Sequence, residues 1–420
     1  MWEGVGRSRK RVQDASLPCL KSSSGSHRSL AQNLNSANSM SVITTIEDLR
    51  QLAQKRVPRM FYEYVDSGSW TESTYHANAD DFQKIKLRQR VAVNIENRTT
   101  RSEMLGQSVS MPVAIAPAGL TGMQCADGEI LVARAAQEFG IPFTLSTMSI
   151  CSIEDVAAHT SAPFWFQLYM VKDRDFVRRL IERAKAANCP ALLLAMDLQV
   201  VGQRHRDLKN AIRSPRRFTF TNILNIMTKP RWALGMLGTR RHGFGNLLGH
   251  VKGVDDMNAL RHWISREFNP ALDWNDVAWI RRQWNGKLVL KGIMDIEDAR
   301  LALNTGADAL IVSNHGGRQL DGAPSSISSL KAIVDAVGDK IEVHMDGGIR
   351  SGQDVLKAIA LGAKGTYVGR AILYGLGALG QSGVAMALEI IRKELDVTMA
   401  LCGQTALRSV TSKALLQPTA

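Results

Sequence analysis

From about residue 111 onward, the chain alternates short apolar runs with polar or glycine-rich turns and amphipathic stretches of helical periodicity. A short apolar run bounded by turn residues predicts a buried strand, and apolar positions three and four apart predict a helix. The eight apolar runs occupy residues 112–120, 142–147, 164–169, 191–197, 287–292, 309–314, 341–348 and 365–370. Eight strands separated by helices predict an α/β protein whose parallel sheet closes into a TIM (β/α)₈ barrel.

Internal similarity supports this repeating unit, because residues 298–314 align without gaps with residues 354–370. An open, doubly wound sheet is the alternative architecture. Such sheets usually carry a glycine-rich fingerprint after the first strand, and this sequence has none there. The closed barrel is therefore the favoured prediction.

Two segments do not fit the repeat. The stretch TTIEDLRQLAQKRV, helical from Thr45, predicts an N-terminal helical extension, since Thr45 can cap a helix that has Asp48 at its third position and leucines on one face. The connection between the fourth and fifth runs, residues 198–286, is far longer than one helix requires. It predicts an insertion after strand 4, which we assign to residues 205–255.

Residues 1–39 are basic and rich in serine, and they lack hydrophobic periodicity, so we predict a disordered leader. An organellar transit peptide and an over-extended start before Met40 are both open interpretations. Residues 40–420 then form one barrel domain.

No apolar run reaches the roughly 18 residues that span a bilayer. The five cysteines are scattered without a CxxC pair, which predicts reduced, structural thiols.

Polar residues gather where the predicted strands end, which is the face of such barrels that carries the active site. After the sixth run, His315 and Arg318 could direct an imidazole and a guanidinium into one pocket, which suits an anionic substrate that must lose a proton. A hydrogen-bonded loop histidine beside a solvated arginine is the alternative for this pair alone. The other strand-end residues make it the weaker interpretation; they are Gly119, Gly122, Ser146, Gln167, Tyr169, Asp197, Lys291, Ser313, Asp346, Arg350, Gly369 and Arg370.

The last two strand ends predict a phosphate site. Residues 346–350 read DGGIR and residues 369–370 read GR, after the seventh and eighth runs. Barrels commonly bind phosphate there through loop amides and a short helix. Lys291, after the fifth run, could then stabilise negative charge on a flavin ring attached to that phosphate. Its alternative is a lysine paired with a neighbouring carboxylate.

The motifs SNHGGRQLDG, FWFQLY, VLKG, DGGIR and VGR together resemble those of the FMN-dependent L-2-hydroxy acid dehydrogenases and oxidases, over about residues 45–408. The sequence is most similar to the membrane-associated L-lactate dehydrogenases, with the (S)-mandelate dehydrogenases next. The resemblance implies FMN as cofactor, no metal, and oxidation of L-lactate or a similar L-2-hydroxy acid to the 2-oxo acid. An FMN-dependent oxidase that uses O₂, an (S)-mandelate dehydrogenase and a non-enzymatic basic binding module remain alternatives.

The resemblance also implies roles for individual residues. His315 would be the base and Asp197 its charged partner. Two arginines and two tyrosines would hold the substrate carboxylate and oxygens: Arg204, Arg318, Tyr64 and Tyr169. The implied cofactor contacts are Ala116, Pro117, Ala118, Ser146, Gln167, Lys291, Ser313, Asp346, Gly347, Gly348, Arg350, Gly369 and Arg370. Hydride transfer and α-proton abstraction are both compatible with these residues.

Through the same resemblance, three positions bear on the flavin environment, the substrate size and the electron acceptor. Ala195 replaces a threonine that many relatives carry near the flavin. Met148 stands where plant glycolate oxidases carry tryptophan, and a flexible methionine leaves room for a side chain larger than that of glycolate. Gly119 stands where oxygen-using relatives tend to have alanine, which favours a dehydrogenase.

The net charge of +13 is concentrated in the leader and in residues 209–252. Residues 209–252 contain no acidic residue and interleave basic side chains with leucine, isoleucine, phenylalanine and tryptophan. We predict that this insertion lies on an anionic membrane surface and that a membrane quinone accepts the electrons. Nucleic-acid binding lacks a supporting motif, and a solvated loop is the remaining alternative.

The expected location is peripheral, on the cytoplasmic face of the inner membrane, or else cytoplasmic, in preference to mitochondrial. The resemblance further implies a homo-oligomer, with a tetramer common in the family. The sequence itself contains no feature that we can tie to assembly.

Overall fold

The computed structural model describes residues 42–210, 220–251 and 266–416, so the predicted leader and parts of the insertion lie outside the described residues. Eight short strands form one sheet, and each falls within one of the eight predicted runs or extends it by one residue. They are β1 Val113–Ile115, β2 Thr144–Ser146, β3 Trp165–Tyr169, β4 Ala191–Ala195, β5 Lys287–Ile293, β6 Ala309–Val312, β7 Glu342–Asp346 and β8 Gly365–Val368.

Every strand pairs in parallel with its neighbour in the barrel. β8 pairs with β1, with Thr366 opposite Val113, and a parallel bridge between Ile115 and Phe143 joins β1 to the segment just before β2. The sheet is therefore a nearly closed, TIM-like barrel, which confirms the predicted fold class. A barrel covered by helices buries both faces of its strands, and this explains why they read as continuous apolar runs rather than alternating ones.

The barrel interior is filled by side chains rather than left open. Trp165, Val289 and Ile311 are fully buried, and Tyr367 is 1% exposed. These side chains come from strands distributed around the barrel. Because a filled interior holds the strands at fixed separations, the residues at the strand ends are carried on a rigid base.

Helices surround the barrel, and further helices precede its first strand and follow its last strand. Those described are α1 Ile46–Arg56, α2 Arg59–Val65, α3 Ser73–Lys84, α4 Gly128–Phe139, α5 Ile153–His159, α6 Arg174–Ala186, α7 His205–Lys209, α8 Phe220–Met227, α9 Pro230–Gly238, α10 Trp274–Gln283, α11 Ile296–Ala302, α12 Ser326–Val337, α13 Gly352–Ala360, α14 Arg370–Leu379 and α15 Gln381–Leu401. Two three-residue strands, Ser102–Met104 and Gln107–Val109, form an antiparallel hairpin before β1. Sequence reasoning did not identify this hairpin.

The N-terminal extension, α1 to α3, contacts the loops that follow β6 and β7. Helix α1 begins with the expected capping box between Thr45 and Asp48. In α3, Asn78 exchanges side-chain amide hydrogen bonds of 2.9 Å with Asn314. Gly348 packs so closely on α3 that a Cβ there would lie 1.8 Å from the carbonyl oxygen of Asn78. Only glycine fits this approach, so the DGG motif has a packing role besides any contact with phosphate.

The described part of the insertion contains α7, α8 and α9, none of which is long and apolar enough to cross a membrane. The same holds for the other helices in the described ranges. In α9, the Trp232 indole stacks on Phe61 with ring centroids 5.4 Å apart and donates a 2.9 Å hydrogen bond to the carbonyl of Met123. Arg241 forms ion pairs with Asp127 and Asp155 at 2.9 and 2.8 Å. These contacts attach the insertion to α2 and to the segments that follow β1 and β2.

Candidate active site

The histidine of the loop after β6 meets the aspartate that follows β4. Nδ1 of His315 lies 3.1 and 3.0 Å from the two carboxylate oxygens of Asp197. His315 adopts the left-handed region, with φ of +57°. A non-glycine residue in that region is uncommon, and such conformations cluster at functional sites. Since Nδ1 is engaged, Nε2 is the ring nitrogen available to take a proton.

Burial and charge act in opposite directions on this pair. Burial lowers the pKa of His315 below its usual 6.5, and Lys291 and Arg204 act in the same direction, while the Asp197 carboxylate opposes them. Burial raises the pKa of Asp197, but the charges of His315 and Lys291 outweigh it, so that this pKa is lowered overall. The pair therefore combines a neutral imidazole with an ionised carboxylate near neutral pH, the state that a general base requires.

Lys291 lies at the end of β5, between two predicted cofactor residues. Its ammonium forms an ion pair of 3.0 Å with Asp346 and donates a 2.7 Å hydrogen bond to the hydroxyl of Ser313. Burial lowers the pKa of Lys291, but Asp346 and Asp197 raise it overall. The carboxylate-paired alternative from the sequence is thus the observed contact. It keeps a positive charge fixed in the barrel mouth.

The predicted substrate-binding arginines belong to one connected group. Nη1 of Arg318 donates to the carbonyl of Tyr64 at 2.6 Å, and its guanidinium lies 4.7 Å from the centre of the Tyr64 ring. Nε of Arg204 donates to the carbonyl of Arg318 at 3.3 Å. Burial, together with the nearby charge of Asp197, raises the pKa of the Tyr169 phenol, and Arg204 and Arg318 oppose this rise. All four predicted substrate contacts therefore lie in one polar neighbourhood.

The barrel mouth contains a buried polar atom that a flavin ring would satisfy. The hydroxyl of Ser146 donates a 2.9 Å hydrogen bond to Oε1 of Gln167. Nε2 of Gln167 is then buried without a hydrogen-bond partner among the described residues. A buried donor without a partner is costly, and the carbonyl or ring nitrogen of a flavin would satisfy it. The residues present fit FMN at this position.

A small, partly open cleft lies beside these groups. Four predicted cofactor residues line it, namely Ala116, Ala118, Ser146 and Gly369. Pro117 lies in the same segment, between two lining residues. Glu129 also lines the cleft, and burial raises its pKa, although it accepts backbone hydrogen bonds from Gly122 and Ile150. Sequence reasoning did not identify Glu129 as part of the site.

The predicted phosphate residues lie at the ends of β7 and β8. Gly347 and Gly348 both have positive φ, of +96° and +85°. Gly369 precedes α14, which begins at Arg370. Burial lowers the pKa of Arg370 to about 10, and the charges of Arg318 and Arg350 contribute in the same direction. A cluster of partly buried cationic groups beside glycine-rich loops is suited to a phosphate.

The position held by Gly119 is tightly enclosed. A Cβ added to it would lie 3.2 Å from Cβ of Met148 and 3.3 Å from the hydroxyl of Tyr64. Met148 and Tyr64 are thus direct neighbours across this glycine. Two of the three positions singled out by the resemblance, Gly119 and Met148, lie together beside a predicted substrate contact. The third, Ala195, is a buried residue at the end of β4.

Other supporting residues were missed from the sequence. Nε2 of Gln319 donates to the carbonyl of Asp197 at 2.6 Å and so holds the loop that carries the carboxylate. Gly292 packs directly on the Asp197 side chain. Asp66 lies at the centre of a buried polar cluster. The i, i+4 spacing of Tyr62 and Asp66 is the one regular sequence signal for this cluster. Its other partners, Tyr75, Arg50 and Tyr374, are 9, 16 and 308 positions away.

Comparison with known proteins agrees with this arrangement. The FMN-dependent dehydrogenase family matches residues 53–417. The chain is 43% identical over 381 residues to an L-lactate dehydrogenase of Pseudomonas syringae pv. syringae (strain B728a), which covers 90% of this chain and 100% of that protein. It is 44% identical over 381 residues to an L-lactate dehydrogenase of Alcaligenes faecalis, which covers 90% of this chain and 99% of the relative.

Two solved structures share the fold over most of the chain. The crystal structure of the monotopic membrane protein (S)-mandelate dehydrogenase has a TM-score of 0.84 and 36% identity, and covers 89% of this chain and 99% of that one. The crystal structure of mandelate oxidase with (S)-2-phenylpropionate has a TM-score of 0.75 and 33% identity, and covers 89% of this chain and 98% of that one. The chain therefore belongs to the family of FMN-dependent dehydrogenases.

Proposed function

We propose that this protein oxidises L-lactate, or a closely similar L-2-hydroxy acid, to the corresponding 2-oxo acid. The observation that carries the proposal is the contact of His315 with Asp197 at 3.0 Å, in the same barrel mouth as Arg204 and Arg318. An α-hydroxy carboxylate needs a base for its proton and cationic donors for its carboxylate. Relatives named L-lactate dehydrogenase, at 43 and 44% identity, support lactate as the substrate.

The residues divide the chemistry between them. Arg318 and Arg204 bind the substrate carboxylate through charge-assisted hydrogen bonds, and a guanidinium can offer two parallel donors to it. Tyr64 and Tyr169 donate to the substrate oxygens, which orients the hydroxyl toward His315. Nε2 of His315 takes a proton from the substrate. The ionised Asp197 then stabilises the imidazolium and holds its ring orientation.

FMN, when bound, accepts the two electrons that leave the α-carbon. Ser146 and Gln167 would hold its ring, and the positive charge of Lys291 favours an electron-rich ring beside it. The phosphate would be held at the loops that contain Gly347, Gly348 and Gly369. Removal of the hydroxyl proton by His315 suits hydride transfer, and removal of the α-proton suits a carbanion route. Isotope effects from α-deuterated lactate and from deuterated solvent, measured separately and together, distinguish these routes.

We further propose that the electrons pass to a membrane quinone and that the insertion binds an anionic membrane surface. Large apolar side chains on α8 and α9 are solvent-exposed, with Phe220 74%, Met227 71%, Leu234 70% and Leu237 83% exposed. Arg231 and Arg240 are exposed beside them. Apolar anchors with basic neighbours suit an interfacial location. The monotopic membrane character of a structural relative supports the same proposal.

Two further parts of the proposal rest on the family resemblance. The protein would be peripheral to the inner membrane on its cytoplasmic face, and it would assemble as a homo-oligomer. Separation of membrane and soluble fractions measures whether the protein is bound to the membrane. Light scattering of the detergent-solubilised protein measures its oligomeric state, and a monomeric mass would contradict the proposed assembly.

The central test is anaerobic mixing of the purified flavoprotein with a panel of acids. L-Lactate should bleach the flavin faster than glycolate or L-mandelate, and D-lactate should not bleach it. Re-oxidation by a soluble quinone should then be faster than re-oxidation by oxygen. Replacement of His315 with Asn should abolish bleaching and leave the flavin bound. Bleaching by L-mandelate alone would instead favour the mandelate activity named for the structural relatives.

A further inference from the structure

Asp66, at the end of α2, lies at the centre of a buried cluster that the proposed reaction does not use. It is 3% exposed. Its carboxylate accepts hydrogen bonds from the hydroxyls of Tyr62, Tyr75 and Tyr374 at 3.0, 3.2 and 2.6 Å. Arg50 donates two more, at 3.0 and 2.9 Å. Burial raises the pKa of Asp66, but the bonds from Arg50 and the tyrosines lower it overall, so that the carboxylate stays ionised.

Two of these tyrosines connect the cluster to the predicted phosphate site. The guanidinium of Arg370 lies 4.5 Å from the centre of the Tyr75 ring, and that of Arg350 lies 5.8 Å from the centre of the Tyr374 ring. Cation–π contact with a ring face is attractive and orients the guanidinium. Asp66 fixes the hydroxyl ends of the two rings, so it also fixes the ring faces on which the arginines lie.

The same two arginines lack an anionic partner in the part of the chain that the structure describes. Nε and Nη2 of Arg370 donate to the carbonyls of Val65, Ser67 and Gly316, each at 2.9 Å. Nη1 of Arg350 donates to the carbonyl of Ile349 at 2.8 Å. Carbonyls orient a guanidinium without neutralising it. Arg370 is therefore held in place, partly buried and without a neutralising carboxylate, so its charge remains available to an anion.

We infer that Asp66 is a positioning residue for the phosphate of the cofactor, acting through Tyr75 on Arg370 and through Tyr374 on Arg350. The ligand chemistry is that of a phosphomonoester on a flavin side chain. A carboxylate placed directly on the arginines would neutralise them and compete with phosphate. Placed behind two phenols, Asp66 orders the arginines and leaves their charge for the ligand. The inference rests on the proposed function only in taking FMN as the cofactor.

The test compares FMN with riboflavin, which has the same ring and no phosphate. Dissociation constants of the full-length, flavin-depleted protein are measured by quenching of flavin fluorescence. Tyr75→Phe and Tyr374→Phe each keep the ring and remove the link to Asp66. Each should weaken FMN binding about 10-fold, and Asp66→Asn about 100-fold, the range expected when hydrogen bonds to a charged group are lost. Riboflavin affinity should change less than about 2-fold, which also reports that the variants are folded.

Tyr62→Phe is the matched comparison, because it removes one bond to Asp66 from a ring that stacks on neither arginine. It should weaken FMN binding less than Tyr75→Phe does. Unchanged FMN affinity in both the Tyr75 and Tyr374 variants overturns the inference, and so does an equal loss of FMN and riboflavin. A native protein that prefers FMN to riboflavin yet oxidises no hydroxy acid would refute the proposed function and leave this inference standing.

Discussion

Gly292 lies against Asp197 so closely that a Cβ on the glycine would be 2.7 Å from both Cβ and Cγ of the aspartate. The glycine sits where the pairing of β5 with β6 shifts register, between Lys291 and Ile293, and its φ is +105°. The irregularity in β5 therefore creates the space that the Asp197 side chain occupies. The orientation of the His315 imidazole depends in turn on that side chain.

Gly292→Ala should consequently impair turnover by displacing Asp197. We expect kcat with a soluble dye acceptor to fall about 10- to 100-fold, since misplacing a catalytic group by about 1 Å costs on this scale. Gly106→Ala is the matched control, because Gly106 also has a positive φ, of +79°, and a Cβ there would meet nothing within 4 Å. Equal kcat in the two variants would contradict this account of β5.

The pH dependence of the reaction tests the His315–Asp197 pair. A base must be unprotonated, and burial lowers the pKa of His315 below 6.5, so kcat/KM should be constant near neutral pH and fall only as the pH drops through that lowered pKa. Asp197→Asn removes the carboxylate that acts to raise this pKa. The fall should therefore move to lower pH, and the plateau should drop about 10- to 100-fold. The measurement is the pH profile of kcat/KM for the native and variant proteins. A fall that moves to higher pH in the variant would contradict the assigned pairing of His315 with Asp197.

Met148 offers a test of substrate size. Met148→Trp places a large, stiff ring beside Gly119 and Tyr64, so the room for the substrate side chain shrinks. We expect kcat/KM to fall most for L-mandelate, less for L-lactate and least for glycolate. The difference between successive acids should be about 10-fold or more, as one apolar contact is worth roughly 1–3 kcal/mol. Met148→Leu, similar in volume, is the control. Parallel losses for all three acids would show that Met148 does not set specificity.

The exposed apolar residues of α8 and α9 test membrane binding. Replacing Phe220, Met227, Leu234 and Leu237 with serine should weaken binding to phosphatidylglycerol vesicles by at least about 100-fold, since each large apolar side chain buried contributes roughly 1.5–3 kcal/mol. Oxidation of lactate with a soluble dye should change little. Vesicle sedimentation at several salt concentrations measures the partition.

The matched control for these serines replaces exposed apolar residues outside the insertion. Leu301, Val397 and Leu401 are 45, 54 and 57% exposed. Their serine variants should bind vesicles as the native protein does. If both sets of variants keep native binding, the insertion is not the membrane surface.

The fold could be predicted from the sequence because its strands are short and continuous apolar runs. The antiparallel hairpin could not, since its three-residue strands, SEM and QSV, are too short for a periodic pattern. The strand-end residues were predictable as a set because barrel topology brings all strand ends to one face. Asp66 was not: Tyr374 is 308 positions away from it, and no local pattern records such a contact.

Composition alone does not show which residues of the insertion face lipid. Trp232 is the tryptophan of residues 209–252, and it stacks on Phe61 and donates to the carbonyl of Met123. Arg241 is one of the basic residues of the same range, and it is paired with two aspartates. An amphipathic sequence shows that a segment has both apolar and basic side chains. Contacts with residues far away in the chain decide which of these side chains pack against the protein and which stay exposed.

The close approach of Gly348 to Asn78, and the amide exchange between Asn78 and Asn314 across 236 positions, have a consequence for biosynthesis. A ribosome releases the first helices long before the segments that receive them have been made. The face of helix α3 that packs on the barrel therefore stays exposed to solvent until most of the polypeptide has been synthesised. Nascent chains halted before residue 314 should accordingly leave α3 open to proteases, and chains extended past residue 348 should shield it.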